Sequence, residues 1–269
     1  MSRIIRMLVS YDGTDFAGWQ RQPASHGMSV QQTLEDTLCQ LLRERVTVHG
    51  AGRTDAGVHA WGQCCHFCSD VAVPVEKLPL ILNRKLPPSV RIRAAETAAA
   101  DFHARFSACG KHYRYTVERG ALPSAFCGRY SWQVTEMLDV AAMRRAAAYL
   151  IGRHDFRHFT VSGVSAREFT RTIQRLEIHE PAQPQPELMQ PWQQLQAPLL
   201  FDVEGDGFLY KMVRIIVGRL LAVGSGMLAP EAMAGFLDGS ERRNIPPAPG
   251  RGLMLMAVHY GSTISADFS

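Results

Sequence analysis

Residues 50–60 read GAGRTDAGVHA, and this stretch is the most informative part of the chain. Its three glycines allow backbone conformations that other residues avoid, and its alanines add almost no bulk. A loop of this kind lets a large ligand approach the backbone, and it presents one guanidinium, Arg53, and one carboxylate, Asp55. An ordinary turn between two strands also favours Gly, Asp and Thr. The loop residues on their own therefore fit either a ligand-binding loop or a simple turn.

The composition is that of a globular protein with room for one large domain or two smaller ones. The chain has 269 residues, of which 46% are hydrophobic and 20% are charged. A strand-like run follows the first residues in place of an apolar leader, and no apolar stretch approaches the length of a membrane helix. We therefore expect a cytoplasmic protein with no membrane partner.

Positive charge is concentrated in the middle of the chain. Residues 103–175 contain 12 Lys or Arg against 5 Asp or Glu, a local charge of +7, whereas the whole chain carries +4. Nearly all the basic residues are Arg, which binds phosphate bidentately and stacks on bases. A GC-rich genome would also raise the share of Arg. The local excess of charge is therefore the better indication of RNA binding.

The cysteines gather around one histidine without predicting a zinc site. Residues 64–68 read CCHFC in a segment expected to be a strand, where successive side chains alternate between faces. Cys64, His66 and Cys68 would then form a nearly straight row, which suits tetrahedral Zn²⁺ poorly, and no second Cys/His pair follows at zinc-site spacing. We interpret these cysteines as buried apolar side chains and expect no metal.

Hydrophobic periodicity predicts a mixture of strands and helices in a similar order in both halves of the chain. In the first half, we expect strands at 3–11, 46–48, 58–67 and 90–95, a helix from a Ser29 cap to residue 42, and a helix at 75–86. In the second half, we expect strands at 112–117, 172–179, 199–204 and 253–260, helices at 140–150 (capped by Asp139) and 208–223, and a helix opened by Pro230.

These elements predict two related α+β lobes, at 1–104 and 105–269. Residues 181–198 interrupt the second lobe with a run rich in Pro and Gln. Such a run cannot bury a core, so we expect a polar excursion between two strands, without chemistry of its own.

Seven groups of motifs, in order along almost the whole chain, resemble the tRNA pseudouridine synthase A family. They are YDGT and GWQ within 11–20, the loop at 50–60, DFHARFS at 101–107, YRY at 113–115, HDFRHF at 154–159, GFLY and MVR within 207–214, and GL at 252–253. The resemblance implies the α+β pseudouridine synthase fold, with two similar lobes of mainly antiparallel sheet and helices and an active-site cleft between them. It implies a homodimer that isomerises uridine to pseudouridine at positions 38, 39 or 40 of the tRNA anticodon stem-loop, without cofactor or metal.

The resemblance also assigns the candidate site. Asp55 is the nucleophile and must be ionised to attack either C1′ of the sugar or C6 of the base. Arg214, on a helix with apolar neighbours, is the cation that keeps Asp55 ionised. Tyr113 stacks on the target uracil and assists removal of the C5 proton, and Arg53 replaces or holds aside the flipped nucleotide. Leu253 forms an apolar wall of the base pocket, although plain core packing explains it as well.

Three residues of the basic segment, Arg105, Lys111 and Arg114, are expected to follow the RNA phosphates. Other enzyme classes fit less well. Most glycosidases need two carboxylates and the loop offers one, while zinc deaminases and P-loop enzymes have signatures that this chain lacks. A catalytically silent RNA-binding protein is the remaining alternative, and a product assay separates it from an enzyme.

Overall fold

The computed structural model describes residues 3–70, 73–120, 125, 127–161, 168–181 and 198–261. In these ranges the strands are β1 (Arg3–Tyr11), β2 (His49–Gly50), β3 (His59–Ser69), β4 (Val90–Thr97), β5 (Gly110–Arg119), β6 (Trp132–Val134), β7 (Gly152–Asp155), β8 (Thr170–His179), β9 (Leu199–Gly205) and β10 (Leu253–His259). The helices are α1 (Val30–Leu42), α2 (Leu78–Asn83), α3 (Val140–Ala148), α4 (Met212–Gly224) and α5 (Ala232–Asp238). The predicted α+β class is therefore confirmed.

The backbone groups into two units. The first contains the described residues up to Lys111 and those from Met254 onward, and the second runs from His112 to Leu253. The sequence-based lobes, 1–104 and 105–269, assign the last strand differently. β10 groups with the first unit because its first residues pair in parallel with β3, Met254 opposite His59.

The first unit is built on a sheet in the order β4-β1-β3-β10, with β2 added to β3. β1 runs antiparallel to both neighbours, so that Ile5 lies opposite Phe67 of β3 and Thr97 of β4. Alternate residues of β1, Ile5, Met7 and Val9, are fully buried. This alternation is the period-2 pattern that makes the strand predictable from its sequence.

The second unit is built on a sheet in the order β5-β9-β8-β7. β8 runs antiparallel to β9, with Leu176 opposite Val203, and β6 extends the sheet in parallel with β5. α3 packs against α4 and β8. The short strands β6 and β7 were not predicted, because three or four residues are too few to show periodicity.

Two predicted helices begin at the expected caps. The Ser29 hydroxyl accepts a hydrogen bond from the Gln32 backbone N–H at the start of α1. The Asp139 carboxylate accepts one from the Ala142 N–H at the start of α3. A side-chain acceptor at the N-cap satisfies a backbone donor that the helix leaves unpaired, so the local sequence fixes where these helices begin.

Three other boundaries differ from the predictions. α4 begins at Met212 rather than residue 208, because Lys211 adopts a left-handed conformation with φ of 60°. The segment predicted as one helix at 75–86 is a 3-10 turn, Val75–Lys77, followed by the short α2. The helix opened by Pro230 begins at Ala232.

The predicted strand at 46–48 is wrong, and the paired residues are His49–Gly50 instead. The Val48 N–H donates to the Glu35 carboxylate, 3.1 Å away, and the Val48 carbonyl accepts a hydrogen bond from Gln31 Nε2 at 3.0 Å. Two side chains of α1 therefore occupy the backbone groups that a strand neighbour would use.

Residues 182–197, nearly all of the predicted polar excursion, lie outside the described residues. Across the described chain, the helices all fall short of the length and hydropathy that a membrane crossing requires.

Candidate active site

The loop that carries Asp55 is anchored at its base by β3. Gly50 pairs with Cys65, the Ala51 N–H donates to the Cys64 carbonyl at 2.8 Å, and Gln63 Nε2 donates to the Gly52 carbonyl at 2.9 Å. Beyond the apex, the Val58 N–H donates to the Asp55 carbonyl at 3.2 Å. Both ends of the loop are thus fixed by hydrogen bonds, and residues 53–56 form its apex.

A second segment of the first unit, Gly18-Trp19, supports the loop from its side. The Trp19 N–H donates to the Thr54 carbonyl at 3.0 Å. Gly18 has a φ of +100°, and a Cβ atom there would lie 2.6 Å from the Thr54 oxygen. A Cβ at Gly50 would lie 2.5 Å from the Trp19 indole. Glycine is required at both positions because backbone and ring occupy the space of a side chain.

Tyr11 fixes the residue that precedes Asp55. Its hydroxyl shares a 2.8 Å hydrogen bond with Thr54 Oγ1. Burial raises the pKa of Tyr11 well above its ordinary value, and the hydrogen bond with Thr54 opposes this only in part. The hydroxyl therefore stays protonated and available to Thr54. The sequence predicts no role for Tyr11 or Trp19, although both belong to the motifs that carry the family resemblance.

Asp55 is partly exposed at the apex, between the buried Thr54 and the exposed Ala56. Arg53 is exposed and donates from Nε to Gln20 Oε1 at 3.1 Å. The apex therefore presents one carboxylate and one guanidinium, as the sequence predicts, on a backbone that is held from two sides. The Asp55 carboxylate is therefore accessible to a ligand, and the hydrogen bonds of the loop backbone limit its movement.

Lys111 lies at the same loop. A Cβ atom at Gly52 would lie 2.9 Å from Lys111 Nζ, so the ammonium occupies the space that the glycine leaves open. The prediction put Lys111 with Arg105 and Arg114 in a phosphate-following series. The structure places its charge beside the loop backbone at Gly52, three residues before Asp55, and its contact with a phosphate stays a prediction.

Tyr113 lies on β5, in the second unit, and is 8% exposed. Its ring meets Phe208 edge to face, with 5.3 Å between the ring centroids. This contact fixes the orientation of the Tyr113 ring, and a ring that stacks on a base needs a fixed orientation.

Arg214 lies on α4 against the segment 246–248. Its Nε donates to the Ala248 carbonyl at 2.7 Å, and the Ala248 N–H donates to the Arg214 carbonyl at 2.9 Å. One turn later, a Cβ at Gly218 would lie 2.5 Å from the Pro246 oxygen. The close approach at Gly218 lets this segment run along α4 and hold the guanidinium by its Nε edge.

Leu253 and Tyr115 lie near that segment. The Tyr115 hydroxyl donates to the Pro249 carbonyl at 2.8 Å, and a Cβ at Gly252 would lie 2.5 Å from the Tyr115 ring. Burial raises the pKa of Tyr115, and the positive charge of Arg214 works against that rise. Leu253, the next residue, is buried at the start of β10. The second unit thus brings Arg214 close to Tyr115 and orders the backbone that leads into Leu253.

Arg114, whose side chain is 37% exposed, forms an ion pair with the buried carboxylate of Asp202. Its Nε and Nη2 donate to the two carboxylate oxygens of Asp202, at 3.0 and 2.9 Å, and His112 Nε2 lies 2.6 Å from Oδ1. This bidentate pair occupies the guanidinium edge that a phosphate contact would use. The sequence could not reveal the pair, because the partners lie 88 residues apart on neighbouring strands.

The cysteines match the prediction only in part. Cys64 and Cys65 are buried as expected, but Cys68 is exposed at the end of β3. Burial raises the pKa of Cys64 to about 11 and that of Cys65 well above its ordinary value, so both stay protonated thiols. Within the described ranges, no group of three His, Cys, Asp or Glu side chains is placed to hold a metal ion.

Comparisons with known proteins identify the family of this chain. The chain matches the family model of tRNA pseudouridine synthases over residues 7–107 and 146–261. The chain belongs to the tRNA pseudouridine synthase family. The matched residues include Asp55, Arg53, Arg105, Arg214 and Leu253.

Curated relatives carry the family likeness through the rest of the chain. Proteins named tRNA pseudouridine synthase A from Moorella thermoacetica, Syntrophotalea carbinolica and Geobacter sulfurreducens are 44%, 41% and 41% identical to it. The alignments cover 95%, 96% and 96% of this chain and 99%, 96% and 100% of the relatives. This confirms the family predicted from the seven groups of motifs.

Proposed function

We propose that this pseudouridine synthase isomerises uridine at positions 38, 39 or 40 of the tRNA anticodon stem-loop, with Asp55 as its nucleophile. The observation that carries the proposal is the Asp55 loop, where one partly exposed carboxylate stands on a backbone held by β3 and by Gly18-Trp19. A nucleophile must meet its target in a defined geometry, and a loop fixed from two sides provides that geometry.

A single carboxylate is sufficient as the nucleophile of this isomerisation. Attack of the Asp55 carboxylate at C1′ of the ribose, or at C6 of the uracil, leads to cleavage of the bond between N1 and C1′. The base then turns, and C5 forms the new bond to C1′. The C5 proton leaves to a base, N1 gains a proton, and the carboxylate is released unchanged.

The remaining candidates receive roles around this carboxylate. Arg214 is the positively charged partner of the Asp55 carboxylate, and Tyr113 stacks on the target uracil and assists loss of the C5 proton. Leu253 gives the base pocket an apolar wall. Arg53, on the exposed side of the loop beside Gln20, takes the space that the flipped nucleotide leaves.

We propose different roles for the three basic residues that were expected to bind RNA phosphates. Arg105, which is exposed, contacts phosphates, and Lys111 holds a phosphate close to the loop. Arg114 contributes to the fold through its ion pair with Asp202 and makes no strong phosphate contact. We further propose that the protein works as a homodimer in the cytoplasm.

The test is the replacement Asp55→Asn, which keeps the shape of the side chain and removes its negative charge. We expect pseudouridine formation in tRNA to fall by more than about 10³-fold, with tRNA affinity nearly unchanged, because only the chemical step needs the anion. Site-specific chemical mapping of pseudouridine and a filter-binding assay measure the two quantities.

Asp36→Asn is the matched control, because Asp36 is an exposed carboxylate of the same unit, on α1. It should form pseudouridine at the parental rate. Near-parental turnover by Asp55→Asn would remove Asp55 from the chemistry. A parental protein that binds tRNA and forms no pseudouridine would establish the silent RNA-binding alternative.

A further inference from the structure

An exposed aromatic stack lies beside the base of the Asp55 loop. Phe106 is 77% exposed, and its ring packs on His103 with 4.3 Å between the ring centroids and 32° between the planes. Behind it, His103 contacts His66 at 4.7 Å and His49 at 5.6 Å, again between centroids. We call Phe106, His103, His66 and His49 the aromatic stack.

The turn that carries Phe106 is rigidly built. The Ser107 N–H donates to the His103 carbonyl at 2.9 Å, and the His103 N–H donates to Ser107 Oγ at 3.0 Å. The N–H groups of Arg105 and Phe106 both point at His103 Nδ1, at 3.1 and 3.3 Å. A turn closed in this way holds Phe106 in place before any ligand arrives, so a ligand that stacks on it loses little entropy in ordering the protein.

Two of these rings, His66 and His103, are uncharged at neutral pH. His103 accepts at Nδ1 from its own turn, and His66 accepts at Nδ1 from the Ala104 N–H, so each ring carries its proton on Nε2. Burial, with the neighbouring His103 and His49, lowers the pKa of His66 to about 4, and burial also lowers the pKa of His103. The positive charge at this surface comes from the exposed Arg105, whose guanidinium carbon lies 5.7 Å from the Phe106 ring centroid.

The aromatic stack is adjacent in sequence to the Asp55 loop. His49 is the residue before Gly50 in β2, and His66 is its partner in β3. Asp55 is six positions after His49, so their Cα atoms lie at most about 21 Å apart. The aromatic stack therefore begins, at His49, no farther than this from Asp55.

An exposed aromatic ring with one Arg at its edge suits an unpaired nucleobase. Bases that have left a helix stack on exposed aromatic rings, while a neighbouring Arg contacts the phosphate or the base plane. We propose that Phe106 and Arg105 form a stacking site for an unpaired nucleobase of the RNA substrate, separate from the site that takes the target uridine. The identity of that RNA as tRNA rests on the proposed function.

The test compares three replacements at one position, Phe106→Ala, Phe106→Leu and Phe106→Trp. Affinity is measured by filter binding for an anticodon stem-loop and for an RNA duplex without unpaired bases. We expect Phe106→Ala to weaken stem-loop binding by about 5- to 150-fold, the range for loss of one stacked base. Phe106→Leu should lose nearly as much, because it keeps an apolar side chain without a π face. Phe106→Trp should bind within about twofold of the parent.

Two controls make the result specific to stacking. Leu80→Ala removes another exposed apolar side chain of the same unit and should leave affinity unchanged. The salt dependence of binding should also stay unchanged in Phe106→Ala, because no phosphate contact is lost.

Several outcomes would overturn the stacking site. They are parental affinity in Phe106→Ala or Phe106→Leu, an equal loss on the duplex, loss of affinity in Phe106→Trp, or a change of oligomeric state in Phe106→Ala. The last outcome would show that Phe106 is covered by protein. Failure of the proposed function is distinct, because the parental protein would then form no pseudouridine, whatever the variants bind.

Discussion

The ion pair between Arg114 and Asp202 predicts a pH-dependent contribution to stability. Asp202 lies on β9 and is 2% exposed. Burial raises the pKa of its carboxyl group, but hydrogen bonds from His112 and Arg114, together with their charges, outweigh burial and lower the pKa to about 2. The folded protein therefore holds Asp202 ionised more strongly than the unfolded chain does.

The size of the effect follows from the shift. The ordinary pKa of this group is 3.8 and the folded value is about 2, a difference of roughly two units. At 1.36 kcal/mol per unit, ionised Asp202 contributes about 2.5 kcal/mol to the free energy of unfolding at pH 7. Because the pKa is lowered by folding, this contribution is complete above about pH 4 to 5 and is lost as the pH falls toward 2.

Asp202→Asn tests this directly, since the amide resembles a protonated carboxyl group. We expect the free energy of unfolding to fall by about 2 to 3 kcal/mol at pH 7, and the difference from the parent to shrink to about half at pH 3. Urea unfolding followed by circular dichroism at pH 7, 5 and 3 measures both. Asp155→Asn is the control, because Asp155 pairs with Arg157 at the exposed surface and should change stability by less than about 1 kcal/mol. A loss that is equal at pH 7 and pH 3, or absent at pH 7, would refute the reasoning.

Further predictions concern close packing and a buried charge. Gly18→Ala should lower both the melting temperature and pseudouridine formation, because its Cβ would lie 2.6 Å from the Thr54 oxygen at a φ of +100°. Gly226→Ala has positive φ and open space, so it should cost only about 1 kcal/mol, and an equal loss in both would contradict the close approach. Arg219→Met should leave urea stability equal or higher, because burial lowers the pKa of this guanidinium to about 10 and its Nε and Nη1 have no hydrogen-bond partner within the described residues. A loss above about 2 kcal/mol would show that its contacts with two phenylalanine rings outweigh the cost of burying the charge.

The elements that the sequence predicts well are those whose signals are local. Ser29 and Asp139 each accept a hydrogen bond from a backbone N–H three residues away, so their helices begin where the sequence indicates. The strand predicted at 46–48 is absent because side chains from α1 form hydrogen bonds with the Val48 backbone. The sequence around Val48 contains no local signal of that contact. Lys211 is similar, since a non-glycine residue with positive φ leaves no local signature.

The same distinction explains the candidate site. The Asp55 loop is predictable because Gly50 and the neighbouring Gly18 leave no room for a side chain. A Cβ at Gly50 would lie 2.5 Å from the Trp19 indole, and one at Gly18 would lie 2.6 Å from the Thr54 oxygen. Such positions must be glycine, so the sequence shows them.

Charged residues leave no such mark. Arg105 and Arg114 both follow from a count of positive charge, yet one is exposed beside Phe106 and the other is held by Asp202. Whether an arginine is available to RNA depends on partners that are distant in sequence. A carboxylate on a neighbouring strand can bind the guanidinium as well as a phosphate does. A basic segment therefore predicts RNA binding by the chain as a whole, and only the contacts within the fold decide which of its residues are available for it.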